Sequence, residues 1–303
     1  MQILQQMIVI FLVMVLGYAA KYWGLMDEQF NKKLSALVMN ITMPAMIFAS
    51  VATCESLPGT KEILTILVVA CISYAFLILA AWLIPPLLRS PRNQSGVFRF
   101  ILTFGNVGYV GFPVVSAIFG SEAVLYAAIF NIPFNILLFT VGIDFIAPER
   151  QKFSLKKIVT PCLIISVISA AVALLKIPIP AIIGETADLA GRLSTPAALL
   201  IVGATLADMP IKSLAGTVRI YIVSVLKLLV LPVILWLCLK NFVSDPLLLG
   251  VAVVISGMPT ATNGVLMCFE YGGEQDTMAQ GFFFITLLSI VTIPIISLLP
   301  YGV

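Results

Sequence analysis

The chain has 303 residues, 61% hydrophobic and only 10% charged, with 17 Lys and Arg against 14 Asp and Glu and no His. An average globular domain carries about 25% charged residues, so the composition excludes an ordinary soluble domain and describes an integral membrane protein. Long apolar runs without polar alternation argue against a β-barrel, and at roughly 20 residues per span the length allows about ten helices.

Cutting at charge and Pro/Gly clusters predicts ten spans at about 3–22, 31–53, 62–88, 95–120, 122–147, 156–176, 186–206, 216–239, 246–269 and 277–299. The first run, Ile3 to Tyr22, lacks a basic leading segment and is long enough to span, so it reads as a mature helix and not a cleaved signal. Cys54, Cys71, Cys162, Cys238 and Cys268 lie in or at the ends of apolar runs without a CxxC pair, and read as apolar filler. With no His, a zinc or haem site lacks its commonest ligand, so no metal or cofactor is expected.

The odd-numbered loops hold Lys21, Lys32, Lys33, Arg89, Arg92, Arg99, Arg150, Lys152, Lys156, Lys157, Lys212 and Arg219. The even loops hold only Lys61, Lys176, Arg192 and Lys240. By the positive-inside rule the odd loops are cytoplasmic and both termini lie outside. Lys227 falls inside span eight.

Two halves of five spans, 1–150 and 151–303, meet near "APERQKFSLKK". Span two, "MNITMPAMIFAS", and span seven, "GRLSTPAALLIVG", carry Pro44 and Pro196 near their middles. Span four carries "GNVGYVGFP" and span nine "SGMPTATNGV". Both pairs are about 150 residues apart. Five spans is an odd number, so the second half is inverted relative to the first, the arrangement of many secondary transporters.

Gly105, Gly108, Gly111 and Pro113 in span four, with Gly257 and Pro259 in span nine, are expected to break their helices near mid-depth. Unwound backbone there is tolerated only inside protein or beside a watery cavity. Each break leaves one half-helix end rich in amides and one rich in carbonyls. Two crossed breaks therefore predict a compact polar substrate site of Gly105, Asn106, Gly108, Pro259, Thr260 and Asn263.

At these residues the chain resembles the auxin efflux carrier family, which includes bacterial malonate-type permeases and plant PIN-type carriers. The pieces that carry the resemblance are "GNVGYVGFPVV", "SGMPTATNGVLM", "KLLVLP", the "YGG" after span nine and the "LLSIVTIPIISLL" ending. It implies an all-α fold of ten transmembrane helices as a 5+5 inverted repeat, with spans 4 and 9 broken and crossing, similar to bile-acid symporters and sodium/proton antiporters. It also implies a scaffold of spans 1, 2, 6 and 7, a moving transport domain of spans 3–5 and 8–10 working as an elevator, and a bacterial inner (plasma) membrane location. By analogy with the related folds the chain forms a homodimer. The cargo implied is a small organic anion, either a dicarboxylate such as malonate or an auxin-like weak acid. The lipid bilayer is the other partner, and no nucleic acid is expected. Loop five is about ten residues, too short for the long regulatory loop of many plant members.

Several of the remaining polar residues in the spans carry more than one reading. Lys227 supplies positive potential to the substrate, binds half-helix carbonyls in place of a coupling cation, or snorkels to the cytoplasm. Asn131 and Asn135, one turn apart around Pro133, line the substrate cavity or bond between helices. Asn40 and Thr42 precede Pro44, where Thr can bond a freed carbonyl. Arg192 precedes Pro196 and reaches outward, and Asp144 at the cytoplasmic end of span five meets nearby basic residues. No Asp or Glu falls at the midplane, which disfavours a proton relay and leaves uncoupled movement or carbonyl-held sodium open. An inside-negative potential of 100 mV would favour anion export by about 2.3 kcal/mol per charge. The chain has no HExxH or GxSxG, so no catalytic residues are expected. A channel or a transporter-like sensor remains the alternative to a carrier.

Overall fold

The computed structural model describes residues 2–53, 59–147, 159–208 and 217–301. The loop-five basic residues Arg150, Lys152, Lys156 and Lys157, together with Lys212 and Cys54, lie outside the described residues. Among the described residues the chain is helical. Its elements are α1 Gln2–Tyr22, α2 Glu28–Ala52, α3 Thr60–Leu87, α4 Arg92–Thr103, α5 Val107–Phe119, α6 Ala123–Ile146, α7 Pro161–Leu175, α8 Ala181–Ala207, α9 Val218–Leu239, α10 Pro246–Ser256, α11 Asn263–Tyr271 and α12 Gln275–Ser297. Six of them, α2, α3, α6, α8, α9 and α12, are long and apolar enough to cross a membrane by length and composition. Ile8–Tyr22 within α1, α5, α7 and α10 are shorter apolar helices.

Four helices contain one wide π-helical turn each, at Val38–Thr42, Val107–Gly111, Leu138–Gly142 and Leu226–Val230. Three of these end two residues before a proline, Pro44, Pro113 and Pro232. Proline has no N–H to give and its ring pushes away the carbonyl four residues back. A wide turn ahead of it absorbs that displacement, as the Met43 N–H bonding to Val38 O and the Leu231 N–H bonding to Leu226 O illustrate. Near Pro44 the side chain that reaches back is Asn40, whose Nδ2 donates to Ala36 O at 2.7 Å. The Thr42 hydroxyl, expected in that role, is buried without a hydrogen-bond partner.

The chain forms two compact units. The first comprises Met1–Val69, Gly108–Ile132 and Val159–Asp208. Its helices approach through glycines: Gly17 abuts the Leu200 backbone, Gly203 the Met14 carbonyl and Gly191 the Met46 backbone. Close approach of this kind holds membrane helices together where no hydrophobic force acts between them. Lys21 and Asp208 close one end of the α1–α8 pair with a 2.8 Å ion pair.

The second unit comprises Ala70–Val107, Pro133–Ile158 and Met209–Val303. It has an aromatic core: Phe100 and Phe104 lie 5.1 Å apart between ring centroids, and Phe104 meets Phe134 at 6.0 Å. Gly142 leaves room for the edges of Phe100 and Phe104, and Gly264 leaves room for Phe100 and Met278. Past α12, burial raises the Tyr301 phenol pKa, and the hydroxyl donates to Ile296 O at 2.7 Å.

Replacing Gly203 with Leu should cost about 1–3 kcal/mol, because the new side chain meets the Met14 backbone and not a flexible neighbour. Thermal unfolding in detergent checks this: Tm should fall for Gly203→Leu and stay unchanged for Gly59→Ala, where an added Cβ meets nothing within 4 Å.

Candidate functional site

Within the second unit, α4 ends at Thr103 and α10 ends at Ser256, and the segments that follow them cross. Their backbones pair antiparallel at Gly105 and Thr260. The Asn106 N–H donates to Pro259 O at 2.6 Å, and the Ala261 N–H donates to Phe104 O at 3.0 Å. Four backbone groups, two N–H and two C=O, are thus satisfied reciprocally between the segments. Glycine at position 105 permits the approach, since a Cβ there would stand 3.0 Å from Met258 Cβ and 3.2 Å from Met258 O.

The sequence-predicted residues separate into groups. Gly105, Asn106, Pro259 and Thr260 meet at the crossing, and Gly257 caps the C-terminal end of α10. Asn263 opens α11 three residues beyond the bridge and is half-buried. Asn135 belongs to the second unit, whereas Gly108, Gly111, Pro113 and Asn131 belong to the first. Asn106, Asn131 and Asn135 are buried and each has an interaction partner. The non-helical stretch of span four is short: the chain leaves the helix at Phe104 and re-enters one at Val107. Gly108 and Gly111 lie in the wide turn of α5 and Pro113 just after it, because that turn lets the proline sit within a helical path.

Lys227 is fully buried inside the wide turn of α9, and its amine donates to Leu102 O at 3.2 Å. Leu102 is in the last turn of α4, where carbonyls lack intrahelical partners and carry partial negative charge. A buried amine needs a polar partner, and the Leu102 carbonyl supplies one.

The opposite polarity occurs at α11. Thr262 precedes it without a side-chain cap, and no acidic residue lies in its first turn. The nearby Thr260 hydroxyl is fully buried and has no hydrogen-bond partner. The Gly264 and Val265 N–H groups of this first turn donate to Ala261 O and Thr262 O, so what the helix start offers an anion is the positive end of its dipole beside the unpartnered Thr260 hydroxyl. Among the described residues no group of His, Cys, Asp and Glu could hold a metal ion.

Sequence reasoning did not single out Leu102, Phe104 or Ala261. They act through backbone atoms, and a backbone acceptor or donor has no residue signature. A membrane transport protein family model matches residues 2–155 and 149–297. The chain belongs to the auxin efflux carrier family of membrane transport proteins. A Rhizobium meliloti protein named "Putative malonate transporter" is 27% identical over 273 residues, covering 86% of this chain and 84% of that one. An uncharacterized transporter of Methanocaldococcus jannaschii is 27% identical over 297 residues, covering 95% of both chains. An uncharacterized transporter of Methanothermobacter thermautotrophicus is 23% identical over 292 residues, again covering 95% of both. The transporter is thus similar to these relatives along nearly its whole length.

Removing the lysine amine should destabilise the transporter. Lys227→Met leaves the Leu102 carbonyl buried and unpaired, at a cost of about 1–3 kcal/mol. Lys227→Gln, which keeps a donor, should recover most of the lost Tm. A Lys227→Met variant as stable as the parent would remove the amine from this role.

Proposed function

We propose that the protein is a secondary transporter of a small organic anion, working by elevator-type alternating access around the crossed breaks. The observation that carries this reading is the antiparallel pairing of Gly105 with Thr260 beside the uncapped start of α11. In this reading the anion lies against that helix end and is bound by the Thr260 hydroxyl and the side-chain amides of Asn106 and Asn263. The backbone around Gly105 and Pro259 shapes the site, and Asn135 lines the path to it.

Lys227 acts as a fixed internal cation, occupying by its bond to the Leu102 carbonyl the place a coupling ion would take. The ten spans form a 5+5 inverted repeat with both termini outside, in an inner (plasma) membrane. Spans 3–5 and 8–10 move as a body against spans 1, 2, 6 and 7, in a homodimer. Malonate is the first cargo to test, on the strength of the Rhizobium meliloti relative's name, with indole acetic acid as the weak-acid alternative.

The test is charge movement in liposomes. Jumps of malonate, other dicarboxylates and indole acetic acid, with and without sodium, should give a saturable current for one class in the absence of sodium. Asn106→Ala and Asn263→Ala should weaken apparent affinity by about tenfold, the loss of one or two hydrogen bonds to a charged ligand, with Tm unchanged in Asn263→Ala. Unchanged affinity in both variants would move the binding site away from the crossing.

A further inference from the structure

A second polar site lies in the second unit, away from the crossing, where the start of α4, the end of α6 and the turn between α11 and α12 meet. It is a cavity of about 610 Å³. Arg92, Asn93, Ser95 and Arg99 line it from α4, Asp144 from the last turn of α6, and Glu274 from the N-cap of α12. Arg92, Ser95 and Arg99 recur at helical spacing, so one face of α4 presents both guanidiniums.

Among the described residues none of the four charged groups pairs with another. The cavity therefore gathers two cations from α4 with one carboxylate from α6 and one from the α12 N-cap, the latter also accepting from the Thr277 N–H at 2.7 Å. A simple anion meets the carboxylates, a simple cation meets the guanidiniums, and a molecule carrying both charges suits both sets.

Two features relate the cavity to lipid. It lies where several membrane-type helices end, the depth of the headgroup layer. Its α4 wall is braced by Trp82, whose ring lies 4.0 Å from the Arg99 guanidinium carbon and makes an edge contact with Phe145 at 5.9 Å. Trp82 is 51% exposed and sits five residues before the end of α3, the placement of an interfacial aromatic. The Arg99 Nε is buried and has no hydrogen-bond partner, so the guanidinium is held in place by the Trp82 ring, and no acid among the described residues takes up its charge.

We propose that this cavity binds the headgroup of a zwitterionic phospholipid bearing a phosphate and a primary ammonium, with Arg92 and Arg99 taking the phosphate and Asp144 and Glu274 the ammonium. A primary ammonium offers three donors to the carboxylates, whereas a trimethylated one offers none. The site therefore selects a phosphoethanolamine headgroup over a phosphocholine one. The carboxylates disfavour purely anionic lipids.

Native mass spectrometry of the full-length protein with dioleoyl phosphatidylethanolamine, phosphatidylcholine and phosphatidylglycerol tests this. The ethanolamine lipid should be retained about fivefold more than either of the others, the value of about one added hydrogen-bonded contact. Asp144→Asn should lower it to the choline level, and Arg92→Gln should weaken both zwitterionic lipids together. Asp144 and Arg92 are exposed, so both variants should fold. Equal or stronger retention of phosphatidylglycerol, or an unchanged ethanolamine-to-choline ratio in Asp144→Asn, would overturn the proposal. Displacement of the lipid by soluble O-phosphoethanolamine at equal concentration would overturn the lipid assignment.

Discussion

A backbone amide or carbonyl that leaves a helix inside a bilayer has no water to bond with, and each one left unpaired costs several kcal/mol. The second unit is organised around that constraint. Two chain segments leave their helices at the same place and satisfy one another through Asn106 with Pro259 and Ala261 with Phe104. The carbonyl of Leu102 is taken by the Lys227 amine. The aromatic cluster of Phe100, Phe104 and Phe134 packs around the crossing, and the small residues Gly105, Gly142 and Gly264 give it room. What the crossing leaves over is the unpartnered Thr260 hydroxyl and the uncapped start of α11, and this surplus polarity is what a ligand could use.

The first unit handles backbone strain differently. Its α1, α2 and α8 press together at Gly17, Gly191 and Gly203, and α8 opens only into a short turn at Arg192–Leu193, where the Leu193 N–H still donates to Ala190 O. Proline is accommodated there by widening a turn, as before Pro44 and Pro113, or by starting a new helical segment, as at Ser194 before Pro196. One element type thus produces a tightly packed bundle in one unit and an opened, polar crossing in the other.

Much of this was legible in the residues, and the limits have physical causes. Apolar run length located the helices, because lipid thickness sets span length, and the clusters of Gly, Asn and Pro marked where two of them open. The extent of the opening in span four was not legible: Gly108, Gly111 and Pro113 look like breakers, but a wide turn keeps them in a helical path, and that choice depends on packing. Lys227 was conspicuous as a lone charge in an apolar run, while its acceptor is a main-chain oxygen 125 residues away that no side chain advertises. Thr42 was the candidate for a freed carbonyl near Pro44, and the longer Asn40 amide is the one that reaches. Among the charged residues at helix ends, Arg92 and Arg99 read as orientation signals. Their shared cavity with Asp144 and Glu274 depends on how the helix ends converge.

The central claim is that the anion occupies the crossing of the two breaks. The most direct measurement is ligand protection of a thiol placed there: Thr260→Cys, labelled by a small thiol reagent and read peptide by peptide by mass spectrometry, with Phe242→Cys, exposed in the turn after α9, as the reference. The account predicts that the anion that drives current slows labelling at position 260 in a saturable way and leaves the reference unchanged. Labelling at position 260 that is indifferent to a saturating transported anion would contradict it.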